Sequence, residues 1–396
     1  MRIKNWFIYS FLFLVFLFTG CNNDPIPKPL TYFIESEEVY SPDSEFIKNY
    51  YTFGGATTIA ARVKYDIILY KVKYNTEYLG SRIMASGLVA FPVTKEEVPM
   101  VSIQHGTIVA HDEAPSVNWN SYSSLAMVAS TGYIVVIPDF IGFGESEQVL
   151  HPYYHEISTA SSVIDMMLSV KEMAGLEGFD FNGEVFLAGY SEGGYATMAT
   201  HKKMEEEKVE GLSLIASAPA AGGYDIKGMQ EYFFGRETYA NPFYIAYVAM
   251  AYKGIYGWDN PLSDYFKEPY ATRIPQYFNG MYSGGAIKAQ LTTNVGELLS
   301  DDFLFNSDNN SIYDPLFLAL NENSLHNWVP KKTMFLYHGT DDLTIPYENS
   351  VNTYNTMISN GASSSIISLI ALSGYNHSTG WVPYFLDVVE RFEKLK

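Results

Sequence analysis

The stretch that most constrains the fold is residues 189–193, which read GYSEG and match the pattern G-x-S-x-G. A short apolar run precedes it at 185–188, and a segment rich in Ala and Met follows it at 194–204. When a strand turns sharply into a helix, only small residues fit two positions either side of the serine, and its hydroxyl is presented at the edge of the sheet. The sequence therefore predicts a strand, a tight turn at Ser191 and a helix.

Strand patterns and helix patterns alternate on both sides of this turn. Short apolar or alternating runs predict strands at 63–74, 82–91, 100–104, 133–137, 185–188, 212–217, 333–337 and 365–372, the first of them as an edge strand. Helix patterns, two of them closed by glycine, predict helices at 121–131, 158–174, 194–204, 347–360 and 382–395. This alternation predicts a mostly parallel sheet with helices on both faces and right-handed crossovers.

An aromatic-rich segment at 222–328 interrupts the alternation. It shows no clean period and is too long for a loop in a compact domain, so it predicts an inserted, largely helical cap. The chain has 32 Tyr among its 396 residues. Such a content is typical of a wet, aromatic-lined cleft, and equally of the composition of a secreted protein.

The N-terminus has the pattern of a secretory signal. Arg2 and Lys4 precede an apolar run at 6–18, and Thr-Gly-Cys follows at 19–21. The run is short for a spanning helix. Thr-Gly-Cys resembles a bacterial lipobox, in which the cysteine is lipidated and becomes the first residue of the mature chain. The sequence thus predicts an exported bacterial lipoprotein held at the cell envelope through Cys21; the alternative is an ordinary signal peptide with an incidental cysteine.

These observations predict four parts. They are a lipoprotein signal peptide at 1–20, an N-terminal tether and lead-in segment at 21–60, a core at 61–221 and 329–396, and the cap insertion at 222–328. The start of the second part, 22–29, contains three prolines and suits a tether between a lipid and a domain. The periplasmic and the outer-surface sides of the envelope both remain open, as does the oligomeric state.

Composition excludes several classes of function. The formal net charge of −19 repels phosphates, so we expect no nucleic acid partner. The single cysteine allows neither an intrachain disulfide nor a Cys-based zinc site. The sequence contains no G-x-G-x-x-G or Walker loop, so no nucleotide cofactor is indicated. His151, His155, Asp139 and Asp165 match no ligand spacing, so no metal is predicted.

A serine nucleophile requires a base within hydrogen-bond reach and an acid that orients the base. His377 is the histidine that follows the last acidic turn, and Asp342 follows the predicted strand at 333–337. Ser191, Asp342 and His377 each lie just after a strand, and such strands end at one edge of a parallel sheet. We expect the three to converge as catalytic residues. Asp341 is the competing acid, and the alternative is that Asp342 caps a turn while His377 lies on the surface.

The negative charge of a tetrahedral intermediate must be met by N–H groups, which form an oxyanion hole. The sequence predicts the backbone N–H groups of Glu192, which follows the serine, and of Thr107, in an early loop after a strand. Glu192 is expected to act through its backbone alone. His105 could be taken for the base, but we expect it to brace this loop. The glycine-containing loop 139–146 is either a wall of the site or a turn that supports the oxyanion loop.

Taken together, the motifs resemble those of an α/β-hydrolase over about residues 60–396. They read HGT at 105–107, PDFIGFGES at 138–146, GYSEGG at 189–194, HGTDDLTIP at 338–346 and NH at 376–377. The glycine-containing loop, the HPY that follows at 151–153 and GYSEGG are similar to those of the secretory lipase group and its bacterial esterase relatives. The resemblance implies a triad of Ser191, Asp342 and His377, and a cap inserted before the strand that carries the acid. All of these motifs lie outside the cap, so the resemblance leaves the acyl group open.

The resulting prediction is a serine hydrolase that cleaves carboxylic esters through an acyl-enzyme, without cofactor or metal. Its substrate would be a small-molecule ester or one linked to a lipid or polymer, held by an apolar pocket under the cap. One alternative is a peptidase of the same fold, with Arg236 or Glu231 as a clamp for a peptide end. Others are a catalytically silent surface-binding lipoprotein, and a lipase whose cap opens at a membrane interface.

Overall fold

One sheet runs through the part of the chain that the computed structural model describes, residues 30–396. Its strands are β1 (Phe33–Tyr40), β2 (Ile67–Tyr78), β3 (Ser81–Pro92), β4 (Val98–Gln104), β5 (Ile134–Pro138), β6 (Phe181–Tyr190), β7 (Ser213–Ala220), β8 (Thr333–Gly339) and β9 (Ile367–Leu372). Their order across the sheet is β1-β2-β3-β5-β4-β6-β7-β8-β9. The pairs from β1 to β5 are antiparallel, and all pairs from β5 to β9 are parallel. The predicted mostly parallel sheet is confirmed.

Helices connect most of the strands. They are α1 (Ser44–Phe53), α2 (Thr57–Ala60), α3 (Trp119–Ala126), α4 (Glu156–Glu177), α5 (Glu192–Glu206), α6 (Ile226–Phe234), α7 (Phe243–Tyr256), α8 (Tyr270–Tyr277), α9 (Gly284–Lys288), α10 (Val295–Leu298), α11 (Asp301–Asn306), α12 (Asp314–Glu322), α13 (Tyr347–Ser359) and α14 (Trp381–Glu393). Short 3₁₀ turns lie at His111–Glu113, Met127–Thr131, Gly144–Ser146, Leu262–Asp264, Ser307–Asn309 and Ser311–Tyr313.

The two faces of the sheet are covered by different helices. Val135 and Ile137 of β5 lie in a cluster with residues of α1 and α14. Ile134 and Val136 lie in a cluster with residues of α4. Because β5 is covered on both sides, all five of its residues are buried, and its sequence is a continuous apolar run. Full burial of each such side chain contributes about 1.5–3 kcal/mol.

The helices α6 to α12 lie between β7 and β8 in the chain and form the insertion that was expected to be helical. Their aromatic side chains share a core with residues of α5, β8 and α13. Thr31–Lys396 accordingly form one compact unit. The aromatic density of this segment therefore reflects a core of its own, shared between short helices and the sheet.

The edge of the sheet differs from the prediction. The pattern at 63–74 was expected to form the edge strand, but β1 pairs outside β2, so β2 is an inner strand. β1 belongs to the segment that was predicted as a lead-in, together with α1 and α2. Its sequence, FIESEEVY, carries three glutamates on an edge that is largely open to solvent. It therefore lacks the apolar pattern from which the other strands were predicted.

The predicted signal peptide, Cys21 and the proline-containing tether at 22–29 lie outside the described residues. Among residues 30–396, the structure contains no helix that is both long and apolar enough to cross a membrane.

The turn between β6 and α5 is packed so tightly that it has no space for side chains. A Cβ at Gly193 would collide with the carbonyl oxygen of Gln104 on β4, and one at Gly194 with that of Ala220 on β7. Ser191 itself has φ 61° and ψ −122°, a conformation that costs about 1–3 kcal/mol outside glycine. The neighbouring strands thus fix the path of the backbone through this serine.

We predict that Gly193→Ala destabilises the fold by about 3 kcal/mol, because the new methyl group displaces the backbone of β4. The matched control is Gly175→Ala in α4, where an added Cβ meets nothing within 4 Å. That change should stabilise the protein by about 0.5–1 kcal/mol. Urea unfolding followed by circular dichroism measures both, and equal stabilities of the two variants would contradict the packing argument.

Candidate active site

Three strands end in turns that each contribute one polar side chain to the carboxyl edge of the sheet. Ser191 follows β6, Asp342 follows β8 and His377 follows β9. The Oγ of Ser191 lies 2.8 Å from Nε2 of His377. The Nδ1 of His377 lies 2.6 Å from Oδ2 of Asp342. The structure thus brings together the three side chains that the sequence predicted to converge, in the order hydroxyl, imidazole, carboxylate.

Asp342 is buried and surrounded by donors. Its Oδ1 accepts the backbone N–H groups of Thr344 and Ile345, at 2.9 and 3.0 Å. Its Oδ2 faces both His377 and the Nε2 of His338, the latter at 3.3 Å. Burial by itself raises the pKa of Asp342, but the hydrogen bonds from His338 and His377 outweigh it and lower the pKa to about 2. The carboxylate is therefore ionised at neutral pH.

The competing acid has a different environment. Asp341 is exposed, and its Oδ1 accepts a hydrogen bond from the hydroxyl of Thr340 at 3.0 Å. The structure gives it no hydrogen bond to His377. The geometry thus favours Asp342 as the partner of the imidazole.

The predicted oxyanion donors border the serine. Gly106, which precedes Thr107, lies so close that a Cβ there would be 3.8 Å from Cβ of Ser191. Glu192 is the first residue of α5, where N–H groups lack intrahelical acceptors. Within residues 30–396, the backbone N–H groups of Thr107 and Glu192 donate to no protein acceptor. Neither N–H group is thus occupied by a protein acceptor in this part of the chain.

His105 supports this loop and does not contact the serine hydroxyl. Its ring is buried, with Nδ1 2.7 Å from the carbonyl oxygen of Gly106 and Nε2 3.3 Å from that of Asp139. The Asp139 carboxylate in turn accepts the N–H of Ser116 at 2.7 Å. None of the residues 139–146 lines the cavity at Ser191. This arrangement favours the interpretation of loop 139–146 as a support of the oxyanion loop.

The side chain of Glu192 makes a contact that the sequence analysis missed. Glu192 was expected to act through its backbone alone, but its Oε1 lies 2.6 Å from Nε2 of His151. Both side chains are buried. No spacing rule links two residues 41 positions apart. From the sequence, this histidine was considered only as part of HPY at 151–153 and as a possible metal ligand.

The other residues that were considered as metal ligands serve different purposes. The ring of His155 accepts the N–H of Ser158 at the start of α4, and Asp165 accepts a hydrogen bond from Thr76 at 2.7 Å. Burial, the largest cause, raises the pKa of Asp165 to about 6. Between residues 30 and 396, no group of three or more His, Cys, Asp or Glu is placed to hold a metal ion.

An apolar cavity extends from Ser191 into the helical insertion. The space inside it that is open to the centre of a water molecule is about 100 Å³. Its lining is Tyr153, Tyr154, Ser191, Gly223, Ile226, Met229, Gln230, Phe233, Phe234, Tyr239, Tyr244, Ile245, Val248, Ala249, Tyr265, Phe266, Phe303, Leu316, Leu320, Thr344 and Ile345. This set contains no Asp, Glu, Lys or Arg, so the cavity suits an apolar group.

The fold and the strand-end turns define the class of protein, and comparisons with known proteins agree with them. The sheet order, the tight serine turn and the helical insertion are those of an α/β-hydrolase. The model of the secretory lipase family matches residues 117–379, which is more than half of the chain. The chain therefore belongs to the secretory lipase family and is a hydrolase of the lipase and esterase class. A comparison with curated proteins found no match.

Solved structures show the same fold at low identity. A Legionella pneumophila protein is 23% identical with a TM-score of 0.81, covering 92% of this chain and 98% of its own. The rice cell wall degrading esterase LipA from Xanthomonas oryzae, in a ligand-bound form, is 22% identical with a TM-score of 0.81, covering 93% and 100%. Candida antarctica lipase A is 16% identical with a TM-score of 0.64, covering 93% and 83%.

We predict that Asp342→Asn changes the pH dependence of stability. The folded pKa of about 2 lies below the ordinary 3.8, so ionised Asp342 stabilises the fold above about pH 4, and this is lost as the pH falls through 2. The full contribution is about 2 kcal/mol. The stability difference between wild type and Asp342→Asn should therefore narrow by about 1 kcal/mol from pH 6 to pH 3. Urea unfolding at each pH measures it.

The control for this measurement is the neighbouring, exposed Asp341, for which the structure shows no hydrogen bond to His338 or His377. The narrowing for Asp342→Asn should exceed that for Asp341→Asn. A difference for Asp342→Asn that narrows no more than that for Asp341→Asn would show that the carboxylate gains nothing from His338 and His377.

Proposed function

We propose that the protein hydrolyses carboxylic esters with Ser191 as nucleophile, His377 as general base and Asp342 as the residue that orients the base. The observation that carries this proposal is the continuous pair of short contacts, 2.8 Å from Ser191 to His377 and 2.6 Å from His377 to Asp342. A nucleophile, a base and an orienting acid in such reach form the arrangement required for acyl transfer.

In the first half of the reaction, His377 takes the hydroxyl proton of Ser191 through Nε2 while Oγ attacks the acyl carbon. The imidazolium is held by its Nδ1–H, which donates to Asp342, and Asp342 stays ionised because its pKa is about 2. His377 then gives the proton to the leaving alcohol, and the acyl group remains on Ser191. In the second half, a water molecule is activated by His377 and releases the acid.

The oxyanion of each tetrahedral intermediate would be bound by the backbone N–H groups of Glu192 and Thr107. Both belong to rigid backbone, since Glu192 opens α5 and Thr107 is held through its hydroxyl, 3.0 Å from that of Tyr153. Donors that are fixed before the reaction need no reorganisation when the charge develops. Each such donor is worth about 10²–10³ in kcat.

The cavity beside Ser191 indicates the substrate. Its aromatic and aliphatic lining favours an apolar acyl group, and each buried methylene contributes about 0.8 kcal/mol. The alcohol part of the ester is left open, so a lipid, a small molecule and a polymer such as that degraded by LipA are all compatible. The cap insertion at 222–328, in this proposal, is the part of the chain that selects the acyl group.

No observation favours a peptidase. The charged residues considered as a clamp do not line the cavity: Glu231 pairs with Lys227 at 3.2 Å, and Arg236 lies over the ring of Tyr232 at 4.8 Å. A catalytically silent binding protein is also disfavoured, because binding alone does not require a hydroxyl, an imidazole and a carboxylate in sequence.

Family membership implies export. We further propose that the chain is anchored to a membrane of the bacterial envelope by lipidation of Cys21. The support for the anchor is the sequence alone, namely the apolar run at 6–18 and the Thr-Gly-Cys that follows it. Cleavage before Cys21 would leave residues 22–29 as the link between the lipid and the folded unit.

We predict that the wild-type soluble part, tested on p-nitrophenyl esters from acetate to palmitate, shows kcat/KM rising from acetate to at least octanoate, because the cavity buries the added methylenes. Ser191→Ala should lose at least about a thousandfold in kcat while keeping its circular dichroism spectrum. His377→Ala should lose kcat to a similar extent and should also keep its circular dichroism spectrum. A folded wild type that hydrolyses no ester would shift the proposal to the peptidase, and a Ser191→Ala variant with most of its activity would refute the nucleophile.

The anchor is tested in the intact cell. We predict that the wild-type chain partitions with membranes and incorporates a clickable palmitate analogue, whereas Cys21→Ser does neither, because a thiol is needed for the thioether to the lipid. Fractionation and in-gel fluorescence measure the two effects. Labelling of Cys21→Ser at the wild-type level would show that the segment is an ordinary signal peptide.

A further inference from the structure

His151 and Glu192 form a buried pair directly behind the serine turn. The Nε2 of His151 lies 2.6 Å from Oε1 of Glu192, and its Nδ1 lies 2.6 Å from the carbonyl oxygen of Ile141. The side chains of His151 and Glu192 are 2% and 4% exposed. Both contacts are within hydrogen-bond distance.

The number of protons follows from the chemistry of the partners. A backbone carbonyl accepts only, so Nδ1 of His151 must carry a hydrogen and donate to Ile141. The second contact then contains one further proton, which resides either on Nε2 as an imidazolium or on the Glu192 carboxyl. In both cases the pair as a whole is neutral, because the histidine supplies or accepts the proton that cancels the glutamate charge.

His151 is the partner of Glu192 in this pair. Within residues 30–396, it is the one basic side chain that the structure places within ion-pair distance of Glu192. Aromatic rings surround the imidazole, with centroid distances of 5.0 to 6.1 Å; they belong to Phe140, Phe143, Tyr153 and Tyr247. Because both side chains of the pair are almost fully buried, an uncompensated carboxylate would be little screened by solvent.

The position of Glu192 makes its charge relevant to catalysis. Its backbone N–H is one of the two groups proposed to bind the oxyanion, and its side chain branches from the adjacent Cα atom. A negative charge at this point would oppose the negative charge of the intermediate.

We propose that His151 is a positioning residue of the reaction: it neutralises Glu192 and fixes the residue whose N–H meets the oxyanion. The proposal rests on the proposed serine mechanism. It assigns to the histidine of the HPY segment a contribution to transition-state binding, although His151 touches neither substrate nor Ser191. Its effect should therefore appear in kcat more than in KM.

The test is a double-mutant cycle of His151→Gln, Glu192→Gln and the double variant, with kcat and KM measured on one p-nitrophenyl ester. His151→Gln leaves the carboxylate without its partner and should lower kcat by roughly ten- to a hundredfold with KM within about threefold, as expected for one uncompensated charge several ångströms from the oxyanion. The double variant removes that charge and should be at least about fivefold faster than His151→Gln. A double variant no faster than His151→Gln overturns the proposal.

A second measurement separates charge from shape. His151→Lys keeps a positive charge and should have a higher kcat than His151→Gln. A trifluoromethyl ketone, which forms an anionic adduct with a serine, should bind His151→Gln more weakly by about the factor lost in kcat, whereas the matching methyl ketone should bind both proteins alike. Equal losses for the two ketones would indicate a purely structural role and overturn the proposal.

The chain offers a matched control for removing a buried histidine. His201 also pairs with a glutamate, Glu205, and the two atoms of this contact are 2.8 Å apart. His201 lies on α5, ten residues after Ser191. His201→Gln should keep kcat within about twofold of wild type, since its pair lies roughly 15 Å from the serine. A loss in His201→Gln equal to that in His151→Gln would overturn the charge argument.

Two further outcomes remain distinguishable. If His151→Gln does not fold, the double variant and His151→Lys carry the test, and folded forms of both with kcat as low as that of Ser191→Ala would overturn the proposal. If Ser191→Ala keeps wild-type activity, the serine mechanism itself fails. If Ser191→Ala is inactive and the effects of His151→Gln and Glu192→Gln on kcat are additive, the proposed role of His151 is refuted and the serine mechanism stands.

Discussion

The close packing of the backbone at the turn after β6 is the constraint on which the site depends. Carbonyl oxygens of β4 and β7 occupy the space that side chains at Gly193 and Gly194 would need. This contact fixes the start of α5 between two parallel strands and holds Ser191 at φ 61°. Because the turn is held by strands on both sides, the hydroxyl, the N–H of the next residue and the helix start are one rigid element. The strain of the serine is thus balanced by the packing of the whole sheet.

Two buried carboxyl groups near this turn have different sets of hydrogen-bond donors around them. Asp342 receives two backbone N–H groups and faces two histidines, so it keeps its charge at neutral pH with a pKa of about 2. Within residues 30–396, Glu192 accepts from one histidine and from no backbone N–H group. The difference fits the two proposed roles: a charge that faces His377 would stabilise the imidazolium, whereas a charge on the residue proposed to bind the oxyanion would oppose the charge of the intermediate. In this proposal, one carboxyl group is charged and the other is neutralised.

The sequence predicted those parts of the fold and of the candidate site that depend on local chemistry. Glycines around a serine and apolar runs between turns have steric causes within a few residues, so the turn, the parallel strands and the order of Ser191, Asp342 and His377 could be derived. The sequence favoured Asp342 over Asp341, but this choice depends on which side of one turn faces the imidazole, and the structure places Asp342 on that side. The contact between His151 and Glu192 joins positions 41 residues apart, and no periodicity in the sequence indicates such a contact. β1 was missed because an edge strand open to solvent needs no apolar pattern.

Several buried tyrosines join separate segments of the chain through their hydroxyl groups. Carbonyl groups in loops and at helix ends lack partners within a helix or strand, and a buried Tyr can fill apolar space while its hydroxyl donates to such a group. The hydroxyl of Tyr195 donates to the carbonyl oxygens of Tyr154 and Asn323, at 3.1 and 2.9 Å. That of Tyr239 donates to the carbonyl oxygen of Thr344 at 3.1 Å, within the turn whose N–H groups hold Asp342. Tyr239, which lines the apolar cavity, thus also ties the insertion to the turn that contains Asp342.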